Sequence, residues 1–341
     1  MRGITLLFAI CLAPAAPLLG QGPETGNARS TVASPQVLEG FLPATDGARL
    51  FFRVVGSGGD TIVVIHGGPA SGLKEALDLE PLAARNHTLI FYDQRGAGMS
   101  ELVAVPSRLG LPSHVEDLEA VRRRFKLNRL TLITISWGSA IALHYAIAHP
   151  GAVERVAMLN PFPPTGKEYV RRFAHLDSLR DQSTRARLRA IDSLWPLAAD
   201  SQLAALCRES ALTASRAYNL PGVTPGTPRG DPCDYPPEVL RFRRTARIAA
   251  MRGLGAEYDF ADALSRVSRP ILVVEGAESR LGLDPAKTWA SKAQDARLLL
   301  IARSGHRTWL DRPEALFTAL DEFVQGHWPS GAVEVPDQDP R

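Results

Sequence analysis

The segment Leu132-Ile-Thr-Ile-Ser136-Trp-Gly138-Ser-Ala-Ile decides the fold of this chain. A short apolar run, typical of a buried strand, ends at a serine and passes at once into a helical pattern. A serine on such a turn projects its hydroxyl out of the sheet, at a helix N-terminus whose backbone N–H groups can hold an oxyanion. We therefore predict a nucleophile at Ser136, with the backbone N–H of Trp137 as one oxyanion donor.

This turn departs at one position from the motif that it otherwise follows. A nucleophile elbow has the pattern Gly-x-Ser-x-Gly, because the turn is tight and leaves little room for side chains. Here the residues are Thr134-Ile-Ser136-Trp-Gly138, so a branched side chain replaces the first glycine. Taken alone, the segment is compatible with a shifted elbow, with a smaller neighbouring residue, or with a serine that only caps a helix.

Strand and helix patterns alternate around this segment. Short, continuous apolar runs predict a mostly parallel α/β sheet that helices cover on both faces. The predicted strands are Leu50–Val55, Thr61–Ile65, Thr88–Tyr92, Leu130–Ile135, Val153–Leu159, Ile271–Val274 and Leu298–Ile301. The predicted helices between them are Val115–Phe125, Gly138–Ala148, Pro285–Ala293 and Arg312–Phe323.

The alternation stops between residues 161 and 260, where helical patterns follow one another without strands. We therefore predict a core formed by residues 36–160 and 261–327, with residues 161–260 inserted as a helical lid. Residues 328–341 contain few apolar side chains and are predicted to form a disordered tail.

The N-terminus indicates the compartment. Residues 1–22 place Arg2 before an apolar run, which is followed by small residues and prolines, and this is the layout of a secretory signal peptide. The run is too short for a good membrane span. We expect an exported protein, periplasmic or secreted, that has no membrane span.

Export to an oxidising compartment would allow the cysteines to form a disulfide. Of the 3 cysteines, Cys11 lies in the predicted signal, which leaves Cys207 and Cys233 as the only pair in an oxidising compartment. We predict a disulfide between them, two unpaired buried thiols being the alternative. Neither cysteine has a partner at the spacing of zinc ligands, and the histidines lack such spacing as well. The sequence therefore predicts no metal, and it contains no dinucleotide fingerprint or other sign of a cofactor.

Three further turns follow predicted strands, where open α/β sheets place their ligands. His66-Gly-Gly68-Pro69 offers an unobstructed backbone and a second oxyanion donor, the N–H of Gly68. Asp93-Gln-Arg-Gly-Ala-Gly98 follows the next strand, and Gly305-His306 follows the last one. A serine early and a histidine late in the chain is the order of a nucleophile and its general base in one class of hydrolase.

Together, His66-Gly-Gly-Pro69, Asp93-Gln-Arg-Gly-Ala-Gly98, Ser136-Trp-Gly-Ser139 and Gly305-His306 resemble the proline iminopeptidase branch of the α/β-hydrolase superfamily. The resemblance implies the α/β-hydrolase fold with a helical lid. It also implies Ser136 as nucleophile, His306 as base, and Gly68 with Trp137 as oxyanion donors. The loop that begins at Asp93 would brace the elbow from beside it.

The triad acid departs from this resemblance. The family places an aspartate in a Gly-x-x-Asp pattern after the next-to-last strand, but here Gly276-Ala-Glu278-Ser279 puts a serine at that position. We predict that the neighbouring Glu278 supplies the carboxylate. Asp284 is the second candidate, and an empty acid position is the third.

The residues expected to bind the substrate are the second departure from the family. The family holds a substrate ammonium with acidic residues of the lid, one of them in a Trp-Glu pair, but here the lid reads Leu194-Trp195-Pro196. Residues 161–260 contain more basic than acidic side chains, nearly all of the basic ones arginine. These arginines form either solvated helix faces or a pocket for anionic or neutral substrates.

The expected function is that of an exported serine hydrolase acting by acyl transfer on a small molecule or short peptide. The resemblance favours a proline iminopeptidase-like aminopeptidase. The alternatives are an esterase or amidase of small hydrophobic acyl groups, and a non-catalytic binding protein that has lost the triad aspartate. The formal charge of +3 over 341 residues argues against a nucleic-acid partner.

Overall fold

The computed structural model describes residues 36–337, so the predicted signal peptide lies outside the described residues. Eight strands form one sheet in the order β1-β2-β4-β3-β5-β6-β7-β8. β2 runs antiparallel to both β1 and β4, and the other neighbours are parallel. The strands are β1 (Val37–Pro43), β2 (Arg49–Val55), β3 (Asp60–Ile65), β4 (His87–Tyr92), β5 (Leu130–Ile135), β6 (Val153–Leu159), β7 (Ile271–Gly276) and β8 (Ala296–Ile301).

Helices connect the strands and form the insertion. They are α1 (Leu111–Arg124), α2 (Gly138–Ala148), α3 (Gly166–Ser178), α4 (Gln182–Leu194), α5 (Asp200–Ser215), α6 (Pro237–Leu254), α7 (Ala261–Leu264), α8 (Asp284–Lys292), α9 (Thr308–Asp311) and α10 (Pro313–Val324). Two 3-10 segments, Leu73–Arg85 and Pro106–Leu109, complete the connections. The predicted α/β fold class is confirmed. β1 escaped prediction because it is a mostly exposed edge strand that pairs only with β2.

The sheet is buried on both faces, which explains the continuous apolar strands. Leu132 and Ile133 are neighbours in β5, and both are fully buried. Leu132 belongs to the core layer beneath α1, α2 and α8, whereas Ile133 belongs to the layer on the opposite face beneath α10. Alternate side chains of a strand point to opposite faces, so each layer receives every second residue. Each such side chain contributes about 1.5–3 kcal/mol to stability.

The strand order reverses next to β3, which lies between β4 and β5. In an open α/β sheet, ligands bind beyond the carboxyl ends of the strands at such a reversal. The loop after β3 begins with His66, and the turn after β5 contains Ser136. The topology therefore brings the two predicted catalytic turns to adjacent positions.

Among the described residues, five helices, α3 to α7, lie between β6 and the last two strands. Side chains start two of them, since Thr165 Oγ1 accepts the N–H of Glu168 at 3.1 Å and Asp181 accepts that of Thr184 at 2.6 Å. The predicted Cys207–Cys233 disulfide is present and joins α5 to the Pro-rich loop before α6. Within residues 36–337, no helix is long and apolar enough to cross a membrane.

The chain after Trp328 differs from its prediction as a disordered tail. Val333 pairs with Leu298 of β8 through two backbone hydrogen bonds of 2.8 and 2.9 Å. Val335 packs against the core, and Trp328 lies 5.3 Å from Phe323, measured between ring centroids. The few apolar residues of this segment are thus enough to fix it as far as residue 337, where the described residues end.

Candidate active site

Ser136 sits on a sharp turn between β5 and α2. Its φ angle is 46°, in the left-handed region, and its N–H donates to the carbonyl of Leu159 in β6 at 3.0 Å. A Cβ on Gly138 would lie 2.6 Å from the carbonyl oxygen of Ile65, so the second glycine of the motif is needed for packing. Thr134, at the first glycine position, is fully buried, and its hydroxyl has no hydrogen-bond partner among the described residues. The elbow forms with a threonine there.

The loop after β3 approaches this turn from the neighbouring strand. Gly68 has a φ of 118° and lines the same cavity as Ser136. His66 is buried, and burial lowers its pKa to about 4. The neutral ring is tied to its own loop and to the next one, since Nε2 accepts the N–H of Gln94 at 3.1 Å and Nδ1 lies 2.8 Å from the carbonyl oxygen of Gly67. His66 therefore shapes the loop and is not a candidate base.

The loop that begins at Asp93 lies behind these turns. The buried carboxylate of Asp93 accepts the N–H groups of Leu73 at 2.5 Å and Met99 at 2.7 Å. Arg95 donates to Asp117 at 2.5 and 2.7 Å. These contacts fix the loop to Leu73 and to α1, and the expected bracing of the elbow stays a prediction.

His306 follows β8 and lines the cavity with Ser136. Its Nδ1 lies 3.5 Å from Oε1 of Glu275 and 3.1 Å from Nη2 of Arg172, a residue of the lid helix α3. Only 14% of the His306 side chain is exposed. Burial lowers its pKa, which the contact with Glu275 opposes, so the ring is neutral near pH 7. A neutral imidazole beside a carboxylate is the arrangement of a general base with an orienting acid.

Glu275 is fully buried at the end of β7. Nδ2 of Asn160 donates to its Oε1, the N–H of Gly276 lies 3.4 Å from the same oxygen, and Nη2 of Arg172 lies 3.5 Å from Oε2. Burial opposes ionisation, but His306, Arg172 and Asn160 together outweigh it and lower the pKa of Glu275. Glu275 is therefore an ionised carboxylate, and His306, Arg172 and Asn160 stabilise its negative charge.

Close packing explains why Glu275 and His306 meet. A Cβ on Gly276 would collide with the carbonyl oxygens of Ser304 and Gly305, so the end of β7 lies directly against the histidine loop. The side chain of the preceding residue, Glu275, then reaches the ring without crossing the loop.

The structure places the predicted acid elsewhere. Glu278 is exposed, and its carboxylate accepts the N–H of Ser304 at 3.1 Å. Asp284 is 62% exposed and pairs with Arg171 at 3.1 Å. Among the contacts of residues 36–337, none joins either carboxylate to His306, whereas Glu275 reaches it. The loop after β7 holds Glu278 against Ser304, and Glu275 takes the place at His306, which corrects the prediction in favour of Glu275.

Sequence reasoning missed Glu275 because the acid was expected in the loop after the strand, where Glu278 and Asp284 lie on either side of the family's aspartate position. One signal was available, since this glutamate directly ends the apolar run Ile271–Val274. An ionisable residue at the carboxyl end of a central strand is buried, and a buried charge requires a partner. Arg172 was missed because nothing in the pattern of α3 separates it from the neighbouring Arg171.

A cavity of about 730 Å³ lies between the core and the lid. Ser136, Gly68 and His306 line its floor, and Phe162, Tyr169 and Phe173 contribute aromatic rings. Its charged lining consists of five arginines and two acidic residues, namely Arg172, Arg243, Arg244, Arg247, Arg307, Glu75 and Asp192. A volume of this size accommodates a small molecule or short peptide.

The sequence and the fold have clear relatives. Residues 60–313 match the family model described as the alpha/beta hydrolase fold, and the chain belongs to that family. A proline iminopeptidase of Lacticaseibacillus rhamnosus is 24% identical over 301 residues, covering 85% of this chain and 98% of that protein. The predicted resemblance to proline iminopeptidase-like α/β hydrolases is thus confirmed, as is the assignment to the hydrolases.

Solved structures agree on the fold. The proline iminopeptidase of Mycobacterium smegmatis aligns with a TM-score of 0.65 at 19% identity, covering 85% of this chain and 98% of that one. An esterase from Exiguobacterium antarcticum aligns with a TM-score of 0.60 at 18% identity, covering 85% and 100%. Peptidases and esterases therefore both share this architecture.

Proposed function

We propose that this α/β hydrolase is a serine hydrolase that works by acyl transfer. Ser136 Oγ attacks the carbonyl carbon of an ester or amide while His306 Nε2 takes the hydroxyl proton. The same nitrogen then gives that proton to the leaving group, and water hydrolyses the acyl-enzyme by the reverse sequence of proton transfers. The observation that carries this proposal is a buried carboxylate, Glu275, beside the histidine that lines the cavity with Ser136.

Glu275 would hold the ring with Nδ1–H toward the carboxylate and stabilise the imidazolium that forms during the reaction. This role supports an enzyme over a non-catalytic binding protein. The chain lacks the family's aspartate, but Glu275 at the end of β7 supplies a carboxylate to His306 in its place. The N–H groups of Gly68 and Trp137 would stabilise the oxyanion.

The first candidate substrate is a peptide or amide with a free N-terminal proline. It is supported by the proline iminopeptidase that matches 85% of this chain. Such a substrate carries an ammonium, and the cavity offers Glu75 and Asp192 to meet it. Glu75 is the better placed, since this partly buried residue turns Oε2 toward Gly67, and that oxygen is buried with no hydrogen-bond partner among the described residues. Burial raises its pKa, so an arriving ammonium would favour its ionisation.

An esterase or amidase acting on small acyl groups is the second candidate. The lid glutamates do not line the cavity: Glu168 bonds to Thr165 and Thr288, and Glu209 pairs with Arg187. Arginines outnumber acidic residues around the cavity. A lining of this kind favours neutral or anionic substrates over cationic ones.

Export is also part of the proposal. It is supported by the N-terminal signal pattern and by the Cys207–Cys233 disulfide, a bond typical of oxidising compartments. N-terminal sequencing of the protein from culture medium or periplasm should show cleavage between Ala15 and Gly22. An intact N-terminus on protein confined to the cytoplasm would contradict export.

The decisive experiment is labelling with a fluorophosphonate probe, followed by peptide mass spectrometry. We expect a single adduct on Ser136, and none on the Ser136→Ala variant. Turnover of proline 4-nitroanilide and 4-nitrophenyl butyrate by the unlabelled protein then ranks the two candidate substrates, and the labelled protein should turn over neither. A protein that neither labels nor turns over either compound would be a binding protein.

A further inference from the structure

Arg172 occupies an unusual position between the acid and the base. Its Nη2 lies 3.1 Å from His306 Nδ1 and 3.5 Å from Glu275 Oε2, while Glu275 Oε1 lies 3.5 Å from the same Nδ1. Nδ1 can therefore either donate to Glu275 or accept from Arg172, and the two contacts require different tautomers. When Nδ1 accepts from Arg172, the proton of the neutral ring is on Nε2. That tautomer cannot take a proton from Ser136, so the contact with Arg172 opposes catalysis.

The guanidinium is held loosely for a buried charge. Arg172 is 6% exposed, yet its hydrogen bonds, including one to the carbonyl of Pro161, all measure between 3.1 and 3.5 Å. Charge-assisted bonds of a well-satisfied arginine are about 2.7–2.9 Å long and often bidentate. A planar anion with two oxygens would give Arg172 a better partner than those it has.

The cavity favours such an anion. Arg172 lines it, and Arg243 and Arg247 stand one turn apart on the face of α6 that borders it. Nε of Arg243 is buried without a hydrogen-bond partner among the described residues, and burial lowers the pKa of this side chain. With two acidic residues against five arginines, the lining carries surplus positive charge that draws anions in.

We propose that Arg172 makes the triad conditional on substrate charge. A carboxylate on the substrate binds the Arg172 guanidinium within the cavity and draws it away from Nδ1 of His306. The ring then releases its Nε2 proton to solvent and takes one up at Nδ1, so it stays neutral and pairs as Nδ1–H with Glu275. Nε2 is then free to accept the Ser136 proton. Arg172 is thus a positioning and specificity residue, and the substrates are esters or amides that carry a carboxylate. This inference rests on the proposed serine hydrolase function.

The pH dependence follows from the groups that face His306. They are Glu275 from β7, Arg172 from α3, the adjacent Arg307, and Tyr218, whose ring centroid lies 5.5 Å away. Burial lowers the pKa of His306, Glu275 raises it, and Arg172 and Arg307 lower it further. A base works in its neutral form, so activity falls as the pH drops through this pKa. Removing Arg172 raises the pKa, and the acid limb of the pH–rate profile should move to higher pH.

The test compares an anionic substrate with its neutral counterpart, mono(4-nitrophenyl) adipate and the methyl ester of its free carboxyl group. We expect the unmodified protein to favour the anionic ester by about tenfold or more in kcat/KM. In Arg172→Gln this preference should vanish, with a higher kcat on the neutral ester and an acid limb shifted to higher pH. Arg171→Gln is the matched control, because the neighbouring Arg171 is 61% exposed and pairs with Asp284 at the surface.

Three results would overturn the inference. One is an unchanged charge preference and acid limb in Arg172→Gln; another is an equal loss on both esters with the limb in place, as expected for a packing residue. The third is the same response in Arg171→Gln. If Arg172→Gln does not fold, Arg172→Met offers a neutral chain of similar length for the same measurements. Full turnover by Ser136→Ala would instead disprove the serine mechanism, and so separates the two proposals.

Discussion

Two buried arginines of this protein are bonded in opposite ways. Arg95, in the loop after β4, is 1% exposed and forms a bidentate pair with Asp117 at 2.5 and 2.7 Å, plus a bond of 2.8 Å to Asp46. Arg172, at the active site, is nearly as buried but has only the long contacts described above. A guanidinium with short, matched partners is a fixed part of the scaffold, whereas one with long, shared contacts can change partners. The comparison therefore indicates that Arg95 has a structural role and that Arg172 can change its partners when a substrate binds.

The largest expected effect is at the nucleophile itself. Ser136→Ala and His306→Ala should each lower kcat on 4-nitrophenyl butyrate by roughly 10⁴- to 10⁶-fold, because nucleophile and base act as a unit. Initial rates and circular dichroism on each variant check this, the spectrum showing that the fold is retained. Activity above a tenth of the original in a folded Ser136→Ala would refute the elbow assignment.

The next effect distinguishes two glutamates. Glu275→Gln should lower kcat by about 10³- to 10⁴-fold with little change in KM, since an amide favours the wrong histidine tautomer. Glu278→Gln is the matched control and should change kcat by less than about twofold, because its exposed carboxylate bonds to the N–H of Ser304, at 3.1 Å, and not to His306. The reverse pattern of kinetics would restore Glu278 as the acid.

The contrast between Glu275 and Glu278 also shows which parts of the site could be predicted from the sequence and which could not. The strand–turn–helix segment around Ser136, the glycines of the His66 loop and the position of His306 follow from local rules, so the fold and most of the site were predictable. The acid was not, because its identity depends on how closely β7 and the histidine loop pack at Gly276. The role of Arg172 could not be predicted for the same reason, since the residues it contacts, Glu275 and His306, lie 103 and 134 positions away in the chain.

A third prediction tests the comparison through stability. Arg95→Met leaves the buried carboxylate of Asp117 without its partner and should cost about 3–5 kcal/mol in free energy of unfolding. Arg172→Gln should lower the free energy of unfolding by less than about half as much as Arg95→Met does, because Glu275 keeps its contacts with Asn160 and His306. Urea denaturation followed by fluorescence measures both. Equal losses would mean that Arg172 is as much a scaffold residue as Arg95.

The disulfide should have a somewhat smaller effect. Replacing both Cys207 and Cys233 by serine releases a loop with a sequence separation of 26 residues. In the chain-entropy model this costs about 3 kcal/mol. Because the bond joins α5 to the Pro-rich loop, and Arg243 Nη1 lies 3.4 Å from the Sγ of Cys207, the loss should be accompanied by weaker substrate binding. Thermal unfolding with and without reductant, and KM for each form, check the prediction. An unchanged melting temperature would contradict it.

The smallest effect is expected at Asp284, the other carboxylate that the sequence offered as a triad acid. It begins α8 and pairs with Arg171 at 3.1 Å, with both side chains more than half exposed, at 62% and 61%. Exposed pairs of this kind contribute about 0–1 kcal/mol because water screens them and two long side chains lose freedom. Asp284→Asn should therefore leave kcat and KM within about twofold and change the free energy of unfolding by less than about 1 kcal/mol. A loss of kcat approaching that of Glu275→Gln would mean that α8 moves toward His306 during turnover, and that the ion pair with Arg171 belongs only to the resting enzyme.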